Sequence, residues 1–383
     1  MKNKIYYWSP HISKVGTVKS TLNSILSLRK YLSEKVELEL FNVFGEWDEF
    51  KSFLKKKDIK TINLIFKINK YLPTLGFYKS RFSYLLIIFF SAYPLFKILK
   101  KNKPDILIIH LLTSLPLLLF KMFNFNTKLV LRISGFPKLN LFRTFIWKLC
   151  RKKIFAVTCP TEELKKKIIE LEIFDSNKIF FLPDPIIDVK EYLELKKKYP
   201  TKKYNIRKNF FLSIGRLTKQ KNFFFLINEF EKFCRVSDNF NLVIIGDGEH
   251  KYKLMKMIKE KKLDNKVHLL GYEENFYYYL QRCTAFILPS LWEELGFVIV
   301  QAALSNAFII SSDCPNGTKE FLNNGEGGIL FSNNQKNQLY KSLINFDRNK
   351  KILKSKILIS KKNVRKYTIF NHYLKLSKIL NLR

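Results

Sequence analysis

The sequence predicts an α/β protein made of two doubly wound parallel sheets in tandem, and three observations carry that prediction. At 383 residues the chain exceeds one ordinary core and suits two domains. Short apolar, β-branched runs alternate with longer amphipathic ones, the pattern of βα units. Between Asp184 and Arg207 the alternation lapses into DPIIDVKEYLELKKKYPTKKYNIR, a densely charged stretch with two prolines, and then resumes.

The first series offers strands at Ile5–Trp8, Val36–Phe41, Thr61–Phe66, Ile106–His110, Leu129–Ile133, Phe155–Thr158 and Ile179–Leu182. The second offers Phe210–Ile214, Leu242–Ile245, Val267–Leu270, Ala285–Leu288, Phe308–Ser311 and Ile329–Phe331, with a terminal helix over Val364–Leu380. The boundaries that follow are an N-terminal domain over 1–185, a linker over 186–207, a second domain over 208–362 and a helical tail over 363–383. The opening run, MKNKIYYWSPHISKVG, is too weakly apolar for a secretory signal and reads as a first strand with its loop. The most apolar stretch, Ser83–Phe96, is interrupted by Pro94, and its fourteen residues fall short of the roughly 20 that cross hydrocarbon, so no transmembrane segment is expected.

Apolar residues at 47% and charged residues at 26% exclude wholesale disorder and a collagenous or coiled-coil chain. Lys plus Arg number 69 against 32 Asp plus Glu, a net charge of +37 that calls for an anionic partner: nucleic acid, a membrane surface or a phosphorylated substrate. A general richness in Lys, Asn, Ile and Phe accounts for part of that excess. Neither an aromatic ribonucleoprotein motif nor helix-turn-helix or zinc-finger spacing is present, which argues against nucleic acid. Five cysteines without a C-x-x-C pair suggest neither a disulfide framework nor a zinc site and fit a reducing cytoplasm.

Parallel α/β sheets bind ligands beyond the carboxyl ends of their strands, and two such sheets facing each other would enclose a central cleft. Gly215 and Arg216 follow one predicted strand, and Lys221 comes five residues after Arg216. A tight turn, a guanidinium fork and an ammonium can converge there on a diphosphate, although a lysine-rich surface yields the same spacing. Glu293 and Glu294 precede Gly296, Phe297 and Val298, which open a helix whose first N–H groups suit an anion; capping charge is the plainer reading of the two carboxylates. The glycines of Gly246-Asp247-Gly248 serve turn geometry. His110 ends an apolar strand, where an ordinary hydrogen-bonded histidine is equally at home, and Arg132 and Ser134 follow the next strand as acceptor or loop-packing residues.

The ordered set GR-x4-K from Gly215, I-G-D-G from Ile245, W-E-x2-G-F-x3-Q-A-A from Trp292 and S-S-D-C-P-N-G-x-K-E-F from Ser311 resembles the donor domain of retaining glycosyltransferase family 4, of GT-B fold. W-S-P-H-I-S-K-V-G-T from Trp8, H-L-L-T-S-L-P from His110 and R-I-S-G-F-P from Arg132 resemble its acceptor half, in members that build bacterial surface polysaccharides. The resemblance implies two Rossmann-like domains facing a central cleft, with a C-terminal helix returning to the first. It implies transfer of a sugar from a nucleotide diphosphate to a lipid-linked or membrane-proximal saccharide, with retention, at the cytoplasmic face of the membrane. Arg216 and Lys221 would neutralise the diphosphate in place of a metal, so no cofactor is expected. Glu293 would hold the transferred sugar, and Gly215, Gly296, Phe297 and Val298 would line the donor site. His110 would contact the sugar and transition state, and Gly16 and Thr17 would belong to a loop near the diphosphate. Gln301 occupies the position where the family has a second Glu for the nucleoside ribose. That departure keeps an impaired sugar-nucleotide-binding module as an alternative, with a basic nucleic-acid-binding protein as a more distant one. A further expectation is an interfacial anchor around Tyr84–Leu99, flanked by Lys79, Arg81, Lys97, Lys100, Lys101 and Lys103, with a buried crossover helix as its rival.

Overall fold

The computed structural model describes residues 2–12, 16–65, 77–137, 139–199, 206, 209–348 and 353–382, leaving aside the side chains of 77–81. Ser13, Lys14 and Val15 of the first acceptor-half motif, Phe66 of the third expected strand, the side chains of Lys79 and Arg81, and 200–205 and 207 of the expected linker lie outside the described residues. The chain divides into two compact units, Met1–Pro185 with Ile369–Arg383, and Ile186–Thr368.

The first unit holds seven parallel strands: β1 (Asn3–Trp8), β2 (Val36–Asn42), β3 (Lys60–Asn63), β4 (Ile106–Ile109), β5 (Lys128–Arg132), β6 (Ile154–Cys159) and β7 (Ile179–Phe181), in the order β3-β2-β1-β4-β5-β6-β7. The two-residue period of a strand divides β1 between two cores. Tyr6 and Trp8 join one face with Phe41, Leu107, Ile109 and Leu131. Ile5 and Tyr7 join the other with Leu38, Ile108 and Val130. The Gly16–Leu32 and Ile369–Leu380 helices cover the second face through Ile25, Leu28, Leu376 and Leu380.

The first face is covered in part by the helix Phe77–Asn102, which runs on through Pro94. Its segment Phe82–Asn102 is long and apolar enough to cross a membrane by length and composition, which corrects the shorter span counted in the sequence. Yet Ser83, Ile87, Ser91, Leu95 and Leu99, four residues apart, are all buried, so one stripe of this helix belongs to the core.

The second unit holds six parallel strands, β8 (Phe210–Ile214), β9 (Asn241–Ile245), β10 (Val267–Gly271), β11 (Ala285–Leu288), β12 (Ile309–Ser312) and β13 (Ile329–Phe331), in the order β10-β9-β8-β11-β12-β13. Its boundaries differ from those expected at both ends. Ile186 and Ile187 are buried in its core, and Val189–Leu195 is a helix whose first turn is capped by Asp188, so the expected linker begins inside the unit. The terminal helix is not continuous over Val364–Leu380. Leu353–Val364 ends, Arg365–Tyr367 form a 3-10 turn, and Ile369–Leu380 starts afresh. The Tyr367 carbonyl accepts the N–H groups of Ile186 and Ile187 at 2.8 and 3.0 Å, which ties the break to the start of the unit.

Candidate functional site

Chain order reverses between β8 and β11 in the second sheet and between β1 and β4 in the first, and such switch points are where open α/β sheets collect their functional groups. Beyond β8 the chain passes through Gly215 and Arg216 into a 3-10 turn, Lys219–Lys221, and Asn222 at φ 55° redirects it into the Phe223–Cys234 helix. Lys221 folds back across Gly215, where an added Cβ would lie 2.9 Å from Lys221 Cε. Gly246, at φ +146°, faces the Gly215 carbonyl so closely that a Cβ would sit 1.9 Å from its oxygen. The glycine there is a steric requirement for bringing the ends of β8 and β9 together.

Beyond β11 the chain turns at Pro289 and Ser290. Lys221 Nζ and Glu293 Oε1 form an ion pair, and Ser290 Oγ donates to the same carboxylate oxygen at 2.6 Å. The pair is buried, with side-chain exposures of 12% and 6%. Two further contacts latch the loops that carry it: Gln220 Nε2 donates to the Trp292 carbonyl at 2.9 Å, and Leu291 N–H donates to Gln220 O at 2.8 Å. Gly296, at φ +80°, precedes the Phe297–Leu304 helix, and a Cβ on it would lie 3.3 Å from Glu293 Oε2. The Glu293 carboxylate therefore sits beside a helix start, where the N–H groups of the first turn have no carbonyl inside the helix to bond. The site therefore offers a cation, a carboxylate and an electropositive helix end.

The other residues singled out in this half are placed differently. Arg216, just beyond β8, is exposed and has no ion-pair partner among the described residues. Glu294 is exposed. Gln301 is buried, and its Nε2 donates to Tyr277 Oη at 3.1 Å. The expected ribose contact is thus an amide engaged by a phenol that burial pushes above its usual range.

In the first unit, His110 follows β4 and is buried. Thr21 Oγ1 donates to the Thr17 carbonyl at 3.0 Å, which leaves His110 Nδ1–H to donate to Thr21 Oγ1 at 3.2 Å. His110 Nε2 is then an acceptor, buried and without a partner among the described residues. Burial, with the Arg132 charge second, holds this imidazole well below its usual pKa and keeps it neutral. Leu111 and Leu112 follow at φ 57° and 35°, two successive left-handed residues without glycine's freedom, a strain that concentrates at functional turns. Beside them lies a cavity of about 470 Å³ whose walls include His11, His110, Arg132, Asn140, Arg143 and Trp147.

Arg132 lines this cavity, and its Nη2 pairs with Asp184 while contacting Ser20, a packing role; its place as an acceptor residue stays an expectation. Ser134 also lines the cavity. Gly16 opens the Gly16–Leu32 helix, and Thr17 Oγ1 is buried without a partner among the described residues. Ser290, Thr21 and Tyr277 are the residues that the sequence reading missed. Ser290 could have been found from its position three residues before Glu293; the other two lie 89 and 24 residues from their partners, and no local spacing announces them.

The family described as glycosyl transferases group 1 matches residues 196–366, nearly the whole second unit. An uncharacterised glycosyltransferase of Methanocaldococcus jannaschii is 31% identical over 325 residues, covering 80% of this chain and 76% of that one. A Campylobacter jejuni enzyme, N-acetylgalactosamine-N,N'-diacetylbacillosaminyl-diphospho-undecaprenol 4-alpha-N-acetylgalactosaminyltransferase, is 31% identical over 154 residues, 39% of this chain and 41% of its own length. Among solved structures, HepE of Anabaena in complex with UDP superposes with a TM-score of 0.69 at 12% identity, covering all of both chains, a likeness of fold. With the two parallel-sheet units and their motifs, these matches establish that the chain is a GT-B glycosyltransferase and belongs to the glycosyl transferases group 1 family.

Proposed function

We propose that the protein transfers a sugar from a nucleotide-diphosphate donor, with retention of anomeric configuration, to a lipid-linked or membrane-proximal saccharide, in the synthesis of a surface polysaccharide such as lipopolysaccharide, O-antigen or exopolysaccharide, at the cytoplasmic face of the membrane. The observation that carries the donor half is the buried Lys221–Glu293 pair beside the start of the Phe297–Leu304 helix. An ammonium held in a water-poor pocket is a preorganised counter-charge for a leaving diphosphate, and Glu293 with the first-turn N–H groups suits sugar hydroxyls and phosphate oxygens. Arg216, exposed just beyond β8, would close on the outer phosphate. With two cations assigned to that charge, transfer needs no metal. UDP in HepE and the diphospho-undecaprenol acceptor in the name of the Campylobacter relative support the donor and acceptor classes.

The acceptor half rests on the first unit's cavity, where a neutral His110 Nε2 can accept a hydrogen bond from a hydroxyl. On this reading no side chain among the described residues serves as a nucleophile, and the leaving phosphate is the base that would guide the incoming hydroxyl. A panel of UDP-, GDP- and TDP-sugars tests the reading through donor hydrolysis in the presence of a chelator. One donor turned over with an α-configured product from an α-donor supports it; inverted product, or turnover abolished by chelation, overturns the corresponding part.

A further inference from the structure

We infer that the first unit docks on an anionic bilayer through two helices that border its cavity, so that a lipid-borne acceptor is taken directly from the membrane surface. The inference rests on the transferase reading for the acceptor, and on exposed side chains for the docking. On the Phe77–Asn102 helix, the stripe opposite the buried Ile87, Leu95 and Leu99 carries Phe82, Leu85, Phe89 and Tyr93, spaced by three and four residues, with Phe89 76% exposed. On the Leu141–Cys150 helix, Ile146, Trp147 and Cys150 are buried while Leu141, Phe145 and Leu149 face out, Leu141 at 92% and Phe145 at 63%. Single exposed apolar residues are ordinary, but two helical rows of them mark an interaction surface.

Both helices border one cavity. Tyr84 from the first and Phe142, Arg143, Ile146 and Trp147 from the second line it, so each exposed row belongs to a helix that reaches that cavity.

Charge selects the occupant. Between Asp58 and Glu162 the chain has eighteen Lys and Arg but a single acid, Asp105, which is engaged by the Lys4 N–H. Exposed Lys97, Lys100 and Lys101 end one helix, and Lys148, Arg151, Lys152 and Lys153 end or follow the other. A second copy of the chain would bring the same positive field and be repelled, and a nucleic acid would leave Leu141, Leu85 and Leu149 in water. An anionic lipid surface accepts the aromatic and aliphatic rows at its headgroup boundary and neutralises the flanking cations. A spanning helix is the other lipid arrangement, and it would require pulling Ile87, Leu95 and Leu99 out of the first unit's core.

The triple variant Phe89→Ser/Leu141→Ser/Phe145→Ser tests the surface, with Tyr252→Ser, an exposed aromatic of the second unit, as its control. Co-flotation is measured with phosphatidylcholine vesicles and with vesicles containing phosphatidylglycerol, at low and high salt. The full chain and Tyr252→Ser should float with the anionic vesicles and at least about tenfold less with neutral ones or in high salt, and the triple variant should lose about tenfold or more on anionic vesicles. Equal flotation of the triple variant, equal recovery on neutral lipid, or a wild-type dimer that the triple substitution dissociates in place of vesicle binding would overturn the inference. Hydrolysis of the nucleotide-sugar donor is read on the same samples. Its retention in the triple variant shows the fold and donor site intact, and its absence from every form would count against the transferase reading while flotation alone decides the docking.

Discussion

At the carboxyl end of β8 the second unit buries a lysine and a glutamate against each other; at the carboxyl end of β4 the first unit buries a histidine that its surroundings keep uncharged. Both places are switch points of parallel sheets, and both lie against a helix that follows the strand region. On the proposed reading this difference in chemistry answers a difference in ligands: a diphosphate would bring negative charge and repay the desolvation of Lys221, whereas a hydroxyl would need only a neutral acceptor, which burial of His110 supplies. The supports are non-local in both. The charged site is latched by Gln220 meeting Trp292, 72 residues away, with Ser290 on the Glu293 carboxylate, while the neutral one depends on Thr21, 89 residues from His110, on Arg132, and on the network through Ser20 to Asp184.

The sharpest way to break this contrast is Lys221→Ala. Transfer should fall by about 10²–10³, the scale for loss of one preorganised charge stabiliser. Thermal stability should fall too, because Glu293 is left buried without its counter-charge, a loss of about 3–5 kcal/mol for a broken buried pair. Adding Glu293→Gln should return the melting temperature but not the turnover. Near-normal transfer in the single variant would remove the diphosphate assignment.

Acidification probes the neutral site. His372, on the Ile369–Leu380 helix, has its Nδ1 2.7 Å from the Pro183 carbonyl and its Nε2 2.9 Å from Ser24 Oγ, so the ring donates to the carbonyl and accepts from the hydroxyl. Burial first, and the Arg132 charge second, push it down to about 3. Because its folded value lies below its unfolded value, the unfolded chain takes up the proton first as pH falls. The stability this histidine contributes is complete above about 6.5 and is lost on descending toward about 3. His110 shifts in the same direction, while buried Glu46, raised to about 7, adds stability as pH falls and opposes them, so the loss is expected locally, where the Ile369–Leu380 helix rests on His372. Hydrogen exchange across the Ile369–Leu380 helix at pH 7 and pH 4 measures it, and His372→Gln should flatten the pH response; an unchanged slope would show that other groups govern it.

The smallest effect is expected at Gln301. Its amide already serves Tyr277, so Gln301→Glu should leave turnover unchanged and move the donor Michaelis constant by less than about tenfold, equivalent to ~1.4 kcal/mol. A larger fall in that constant would restore the ribose role to this position.

How much of this was legible beforehand varies by element. Phe210–Ile214, Ala285–Leu288 and Ile329–Phe331 match their strands residue for residue, since a strand buried on both faces is a continuous apolar run with polar or glycine borders. The positions of Gly215, Lys221, Glu293 and Gly296 were legible for a related reason: they lie beyond strand ends and at helix starts that the pattern already locates. The terminal helix was misjudged because nothing in Val364–Leu380 breaks a helical pattern; the break comes from Tyr367 bonding back to Ile186 and Ile187.

By itself, then, the sequence determined the class of fold, the two sheets, the excess of positive charge and the placing of Gly215, Glu293 and Gly296 near strand ends and a helix start, all of which follow from short-range periodicity and composition. Only the tertiary structure decided that Lys221 meets Glu293, that His110 presents a neutral Nε2 beside a cavity, and that Gln301 turns to Tyr277. It also decided that the Phe77–Asn102 helix buries one stripe and exposes another. These depend on groups brought together from 24 to 89 residues apart, and on which face of a helix meets the core, quantities that an apolar run almost uniform around its axis does not encode.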